Sequence, residues 1–195
     1  MDTILLATKN KGKIKEMRDI IKNVNITSLD DFDIEEPKET GSTFAENSSL
    51  KAKYYGEKLK ISAIADDSGL CVDGLNNFPG IYSARYAGTH NDDDNNKLLI
   101  KNLQGIENRR ARYVCAICVY YPDGKYLITR GEVEGIIIDT PRGKNGFGYD
   151  PYFYIEDFKK TFAEVDLSLK NTISHRARAI RKMKELLNED FTYKR

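Results

Sequence analysis

Tyr113 to Tyr121 is an unbroken apolar run of valine, isoleucine, cysteine, alanine and tyrosine. Such a segment reads as a buried β-strand, because β-branched and aromatic side chains fit a pleated surface. Pro122-Asp123-Gly124 supplies a turn and Lys125 to Val133 a returning strand. Residues 112–133 are therefore predicted as a long β-hairpin, continued by Ile136 to Ile138. Cys115 and Cys118 lie within the first strand, with the spacing of a redox or zinc pair. On a strand that spacing sends the two thiols to opposite faces, so both are predicted as small packing residues. With Cys71 there are three cysteines, which cannot all pair, and no disulfide framework is expected.

Helix and strand patterns alternate around the hairpin. Thr3 to Ala7 reads as a buried strand, and Lys11 to Lys22 as a helix with Ile14, Met17, Ile20 and Ile21 on one face. Asp30 to Gly41 is acidic and irregular. Thr43-Phe44-Ala45-Glu46 has the form of a capping box opening a helix to about Lys60, with Ala45, Ala52, Tyr55 and Leu59 inward. Ser62 to Ala65 and Gly69 to Val72 read as two further strands, and Asn76 to Gly80 as a turn. Asn91 to Leu103 reads as a helix whose first-turn acids, Asp92, Asp93 and Asp94, suit the helix dipole better than a metal. Gly143 to Asp150 is a glycine-rich loop, and Ser174 to about Leu187 the last helix, with Ala177, Ile180, Met183 and Leu187 inward. This mingling predicts an α/β fold with a mixed sheet. No repeat, linker or low-complexity segment interrupts it, so residues 1–195 are expected to form one domain.

Charge and composition narrow the function. The 195 residues carry 31 Lys+Arg against 30 Asp+Glu, a net charge of +1, which argues against a nucleic-acid scaffold or a polybasic membrane binder. A hydrophobic fraction of 40% excludes wholesale disorder. No apolar run approaches the ~20 residues of a membrane span. The first residues lack a signal peptide's basic start, so a soluble, cytoplasmic protein is expected. With only His90 and His175 available, any metal should be a hard cation held by carboxylates.

Four segments carry candidate chemistry. None of the Gly-Lys pairs is followed by Ser or Thr, and no G-x-G-x-x-G occurs, so Walker and Rossmann loops are absent. Thr8-Lys9-Asn10-Lys11-Gly12-Lys13 is nevertheless a strand-to-helix turn where open N–H groups, the helix dipole and lysine charge can gather phosphates; an ordinary capped turn is the alternative. Ala65-Asp66-Asp67-Ser68-Gly69 places two acids at a predicted strand end, either as an Asx-turn or with one carboxylate entering a cleft. Glu39 would supply a second carboxylate for Mg²⁺, with Glu46 as second choice. Gly146-Phe147-Gly148-Tyr149-Asp150-Pro151 exposes an aromatic face on which a base could stack, or simply closes the core. Lys170 and Ser174-His175-Arg176 cluster donors around a helix start, where cations do not serve the dipole.

Taken in order, these segments resemble the inosine triphosphate pyrophosphatase family. The resemblance runs through Thr8-x-Asn10-x-x-Lys13-x-x-Glu16, Glu39-Thr40-Gly41-x-Thr43-Phe44-x-Glu46-Asn47 and Ala65 to Leu70. It continues through Phe78-Pro79-Gly80-x-Tyr82-Ser83-Ala84-Arg85, Gly146 to Pro151, Lys160 to Glu164, Lys170-Asn171 and Ser174 to Arg176. It implies a two-lobed α/β fold around a long twisted mixed sheet with a central cleft, usually homodimeric and Mg²⁺-dependent. The implied reaction hydrolyses deaminated purine nucleoside triphosphates (ITP, dITP, XTP) to monophosphate and pyrophosphate. By motif, residues Thr8 to Lys13 would hold the triphosphate, Asp67 would act as general base and, with Glu39, as metal ligand, and Ser68 would touch substrate. Phe147, Gly148, Tyr149, Asp150, Lys170, His175 and Arg176 would form the base pocket. Donors from His175 or Arg176 opposite a keto O6 would reject adenine. A non-catalytic nucleotide sensor and a phosphohydrolase of other base or bond specificity are the competing classes.

Overall fold

The computed structural model describes residues 3–21 and 25–192, with side chains through 186. In chain order the elements are β1 (Thr3–Leu6), α1 (Lys11–Ile20), β2 (Asn25–Ser28), α2 (Phe44–Leu59), β3 (Ser62–Val72), α3 (Asp92–Asn102) and β4 (Arg110–Tyr120). They continue with β5 (Tyr126–Ile137), β6 (Phe153–Ile155), β7 (Lys160–Thr161), α4 (Leu167–Ile173) and α5 (His175–Thr192). The strands form one sheet in the order β2-β1-β3-β4-β5-β6-β7. β1 pairs in parallel with β2 and β3, whereas β6 is antiparallel to β5 and β7. The sheet is mixed and the fold is α/β, as the sequence predicts. Among the described residues, no helix is long and apolar enough to cross a membrane.

The chain divides into two compact units, Met1–Asp67 with Cys115–Gly131 and His175–Arg195, and Ser68–Val114 with Glu132–Ser174. In the first unit the period-two pleat sorts side chains into two cores. Leu5, Ala7, Ala63, Ala65 and Cys118 pack with Ala52 and Tyr55 of α2. The intervening residues Leu6, Ile64, Cys115 and Ile117 pack with Met17 of α1 and Ala179, Ile180 and Met183 of α5. Cys115 and Cys118 thus lie in different cores, and neither they nor Cys71 forms a disulfide. Burying each large apolar side chain contributes roughly 1.5–3 kcal/mol, so these cores hold the helices onto the sheet. In the second unit, Leu70, Val72, Leu99 and Leu103 surround Tyr113, Phe153 and Phe162. The Phe153 and Phe162 rings stack with centroids 5.3 Å apart.

α5 lies so close to β5 that only glycine fits at residue 131. A Cβ there would press into the His175 carbonyl oxygen and the Ala179 nitrogen, both backbone atoms that cannot swing aside. Overpacking of this kind typically costs about 1–3 kcal/mol. Gly131→Ala is expected to lower Tm by roughly 2–12 °C, by calorimetry, since a chain of this size shifts some 2–4 °C per kcal/mol.

Three local features differ from the sequence reading. The strands expected at residues 62–65 and 69–72 are one continuous strand, β3, so Asp66 and Asp67 lie in its middle rather than at an end or in a turn. α4 was not foreseen; Asp166 caps it by accepting the Leu169 N–H at 2.8 Å, and the helix stops at the extended Ser174 before α5 begins. α1 is capped at Ile21, the expected helix end at Lys22 lies outside the described residues, as does the Leu187 side chain, and α5 runs past the expected end to Thr192.

Candidate active site

In the first unit, β1 enters α1 through a turn held by its own side chains. Thr8 Oγ1 accepts the Asn10 N–H at 3.2 Å, and Asn10 Oδ1 accepts the Lys13 N–H at 3.0 Å, capping α1. These bonds satisfy donors that a helix start leaves open. The turn is therefore both a capped helix start and a carrier of lysines. Lys9 and Lys11 are exposed, Lys9 lying 3.5 Å from Glu36, and Gly12 sits in the first turn of α1. Lys13 instead turns inward, its Nζ 3.1 Å from Asp66 Oδ2.

Asp66 and Asp67 are consecutive on β3, so the pleat sends them to different partners. Asp66 is 1% exposed. Its Oδ2 accepts from Arg176 Nη2 at 3.1 Å and Nε at 3.3 Å, and the Cys115 thiol lies 3.9 Å away. Arg176 also donates from Nη1 to Glu16 on α1. Burial pushes the Asp66 carboxyl up, but the charges of Lys13, Arg176 and Lys51 more than reverse this and hold it well below the usual range. Its Oδ1 takes no hydrogen bond from a described residue.

Asp67, 6% exposed, faces α2. Its Oδ2 accepts from Asn47 Nδ2 at 3.1 Å, while Oδ1 lies 3.7 Å from Lys51 Nζ. The same ammonium donates to Glu39 Oε1 at 2.7 Å. Asn47 is fully buried and also accepts the Gly41 N–H at 2.8 Å, so α2 ties the loop after Glu39 to β3. Burial pushes the Asp67 carboxyl above its ordinary value, and Lys51 and Lys13 offset that only in part. Burial pulls Lys51 down, yet Asp67, Asp66 and Glu39 leave its ammonium above the ordinary lysine value. Asp67 is thus a more basic carboxylate than an exposed one, facing a permanent cation. Glu46 is engaged elsewhere: its Oε2 accepts from the Ser42 N–H at 2.6 Å and the Ser42 hydroxyl at 2.8 Å. Thr43 Oγ1 accepts the Glu46 N–H at 3.1 Å and caps α2 as its spacing predicts, while the Glu46 carboxylate reaches back to Ser42.

In the second unit, Gly146 and Gly148 adopt left-handed φ values of +79° and +63° on either side of Phe147. A Cβ at Gly146 would collide with the Asp150 carboxylate, which folds back over it. Asp150 Oδ2 accepts the Phe147 N–H at 2.9 Å and Lys170 Nζ at 2.6 Å. Lys170, on α4, is 3% exposed, with Nζ 4.8 Å from the Phe147 ring centroid. An ammonium over a ring face is attracted by the ring quadrupole, so the pair steadies Phe147. The Tyr149 hydroxyl donates to the Ser83 carbonyl at 2.7 Å, with its ring in the core. A groove of about 320 Å³ in this unit, lined by Asp73, Arg110, Arg112, Glu134 and Glu156 among others, contains none of these residues.

Comparison with known proteins supplies the family. The Ham1 family model matches residues 4–186. The chain is 48% identical to a dITP/XTP pyrophosphatase of Bacillus anthracis, over 98% of both chains. It is 49% identical to one of Listeria innocua, over 97% of this chain and 96% of the other. The chain belongs to the Ham1 family. Two solved Ham1 structures superpose on this Ham1 chain closely: that of Staphylococcus aureus at a TM-score of 0.88 and 40% identity, covering 96% of this chain and 99% of the other, and that of Coxiella burnetii at 0.89 and 38%, covering 97% and 100%.

Within this Ham1 chain the structure gathers Lys13, Asp66 and Arg176 in one cluster, Glu39 and Asp67 around Lys51 in another, and Phe147, Asp150 and Lys170 in a third. Arg176 directs its guanidinium to two buried carboxylates, Asp66 and Glu16. Tyr149 is a core residue whose hydroxyl already has a backbone acceptor. His175 opens α5 and is buried, and Ser68 follows Asp67 on β3, half-buried. Lys51 was missed altogether, and Asn47 was seen only as a motif position. The available signal was helical spacing: Asn47 and Lys51 are four apart on α2, one turn, and so share a face.

Proposed function

We propose that this chain hydrolyses deaminated purine nucleoside triphosphates, ITP, dITP and XTP, to the monophosphate and pyrophosphate. The observation that carries the reading is the split acid pair on β3. Asp66 is locked by Arg176 and Lys13, while Asp67, held by Asn47 and Lys51, is kept unusually basic for a carboxylate. The dITP/XTP pyrophosphatase names of the Bacillus and Listeria relatives support the substrate class.

In this reading Asp67 removes a proton from the attacking water at the α phosphorus. Lys13 and the exposed Lys9 and Lys11, with the helix start they flank, draw the phosphates and balance the charge that grows on them. Glu39 and Asp67 fit a Mg²⁺ ion: both are hard oxygen donors, and they already converge on one ammonium, Lys51. Among the described residues no three acidic, histidine or cysteine side chains are arranged to hold an ion by themselves. Two carboxylates with substrate phosphates and water make up the usual Mg²⁺ set, and the bound ion would neutralise phosphate charge. Phe147 stacks the base, and Lys170, oriented by Asp150, donates to a keto oxygen. Adenine offers an amino group there and leaves that donor unpaired. Homodimer formation and a cytoplasmic setting belong to the same proposal.

Product analysis tests the reaction. With ITP and Mg²⁺, one pyrophosphate per IMP is expected, ATP should turn over at least roughly a hundredfold less efficiently, and excess EDTA should abolish turnover. Accumulation of IDP and orthophosphate would refute α–β cleavage. Tight ITP binding without pyrophosphate release would point to a nucleotide sensor.

A further inference from the structure

We propose that Asp92 and Asn96 of α3 are positioning residues for base binding, acting through Gly148 on the Phe147 ring; this rests on the reading of Phe147 as the stacking platform. The acids at the start of α3 are explained only in part by the helix dipole. Asp92 Oδ2 accepts the Gly148 N–H at 2.7 Å, and Asn96 Nδ2 donates to the Gly148 carbonyl at 2.9 Å. Asp92 and Asn96 are one helical turn apart, so both meet the same residue from the same face of α3. Gly148 holds φ +63°, and a Cβ there would meet open space. The glycine therefore serves backbone conformation, and the freedom it brings must be removed by other contacts.

Those contacts come from two sides. On one, the Phe147 N–H is held by Asp150, itself paired with Lys170. On the other, both backbone polar groups of the next residue are held by α3. Asp93, the middle acid, is exposed. Stacking depends on a ring face presented before the base arrives; a ring that must be ordered on binding loses affinity rather than chemical rate.

Steady-state kinetics with ITP, together with inhibition by inorganic tripolyphosphate, which has no base to stack, tests the assignment. Asp92→Ala and Asn96→Ala are each expected to raise KM for ITP about five- to tenfold, with kcat within about twofold and tripolyphosphate inhibition unchanged. Asp92→Asn keeps an acceptor for the Gly148 N–H and should return KM to within about twofold of the parent. Asp93→Ala should leave KM unchanged. A KM unaltered in Asp92→Ala and Asn96→Ala, while Phe147→Ala raises it, overturns the positioning role and leaves stacking intact. An unaltered KM in Phe147→Ala overturns stacking itself. Equal weakening of ITP and tripolyphosphate in Asp92→Ala would show a general disturbance and also overturn the assignment.

Discussion

Asp67→Asn is expected to lower turnover of ITP at least roughly a hundredfold at saturating Mg²⁺ while leaving Tm within about 2 °C. On the proposed function, general-base assistance is worth about 10²–10⁴-fold, and a weakened Mg²⁺ set would add to the loss. Stability should hold for a separate reason. Burial disfavours the charged form of Asp67, so the folded protein already tolerates a neutral side chain at that place. The amide oxygen of an asparagine can still accept from Asn47 Nδ2, which now reaches Asp67 at 3.1 Å. Lys51 keeps Glu39 as its partner at 2.7 Å. Pyrophosphate release followed beside calorimetry separates the outcomes. Activity within tenfold of the parent, or loss explained by unfolding, would remove Asp67 as the base.

Arg176→Met should act in the opposite way, through the fold. The guanidinium is 1% exposed and joins Asp66 on β3 to Glu16 on α1. Methionine keeps much of the stem but leaves two buried carboxylates without their shared cation. Breaking a buried pair by removing one partner typically costs about 3–5 kcal/mol, which for a chain of this length is a Tm fall on the order of 10 °C. Adding Asp66→Asn should recover part of the loss, because the two substitutions remove the same interaction and cannot be additive. A Tm within 2 °C of the parent, with ITP and ATP efficiencies brought together, would instead make Arg176 a reader of the base.

The difference between these two acids could not be read from Asp66-Asp67 as a dipeptide. Strand alternation separates them, but which of the two is locked and which remains a basic carboxylate depends on what lies across the sheet. Glu16 and Arg176 are 160 residues apart in the chain, and Arg176 and Asp66 are 110 apart. No local pattern carries a pairing at that distance. The motif that carries Arg176 is a string of residues, and a string carries no sign that its guanidinium meets Asp66 and Glu16. Tyr149 teaches the same point: its loop motif does not say that its hydroxyl meets the Ser83 carbonyl, 66 residues away in the chain.

What the sequence determined by itself is local or periodic: the α/β class, the hairpin, the cap at Thr43, and the opposite faces of Cys115 and Cys118. These follow from hydrogen bonds a few residues apart and from the fixed periods of helix and strand. The ordered motifs determined the family. Only the tertiary structure decided that β3 runs unbroken through two acids, because burial of charge in mid-strand is tolerable only once Lys13, Lys51 and Arg176 have arrived from other elements. It alone decided that Lys51 bridges Glu39 and Asp67, and that α3 holds Gly148, since those bonds exist only after distant segments have been packed together.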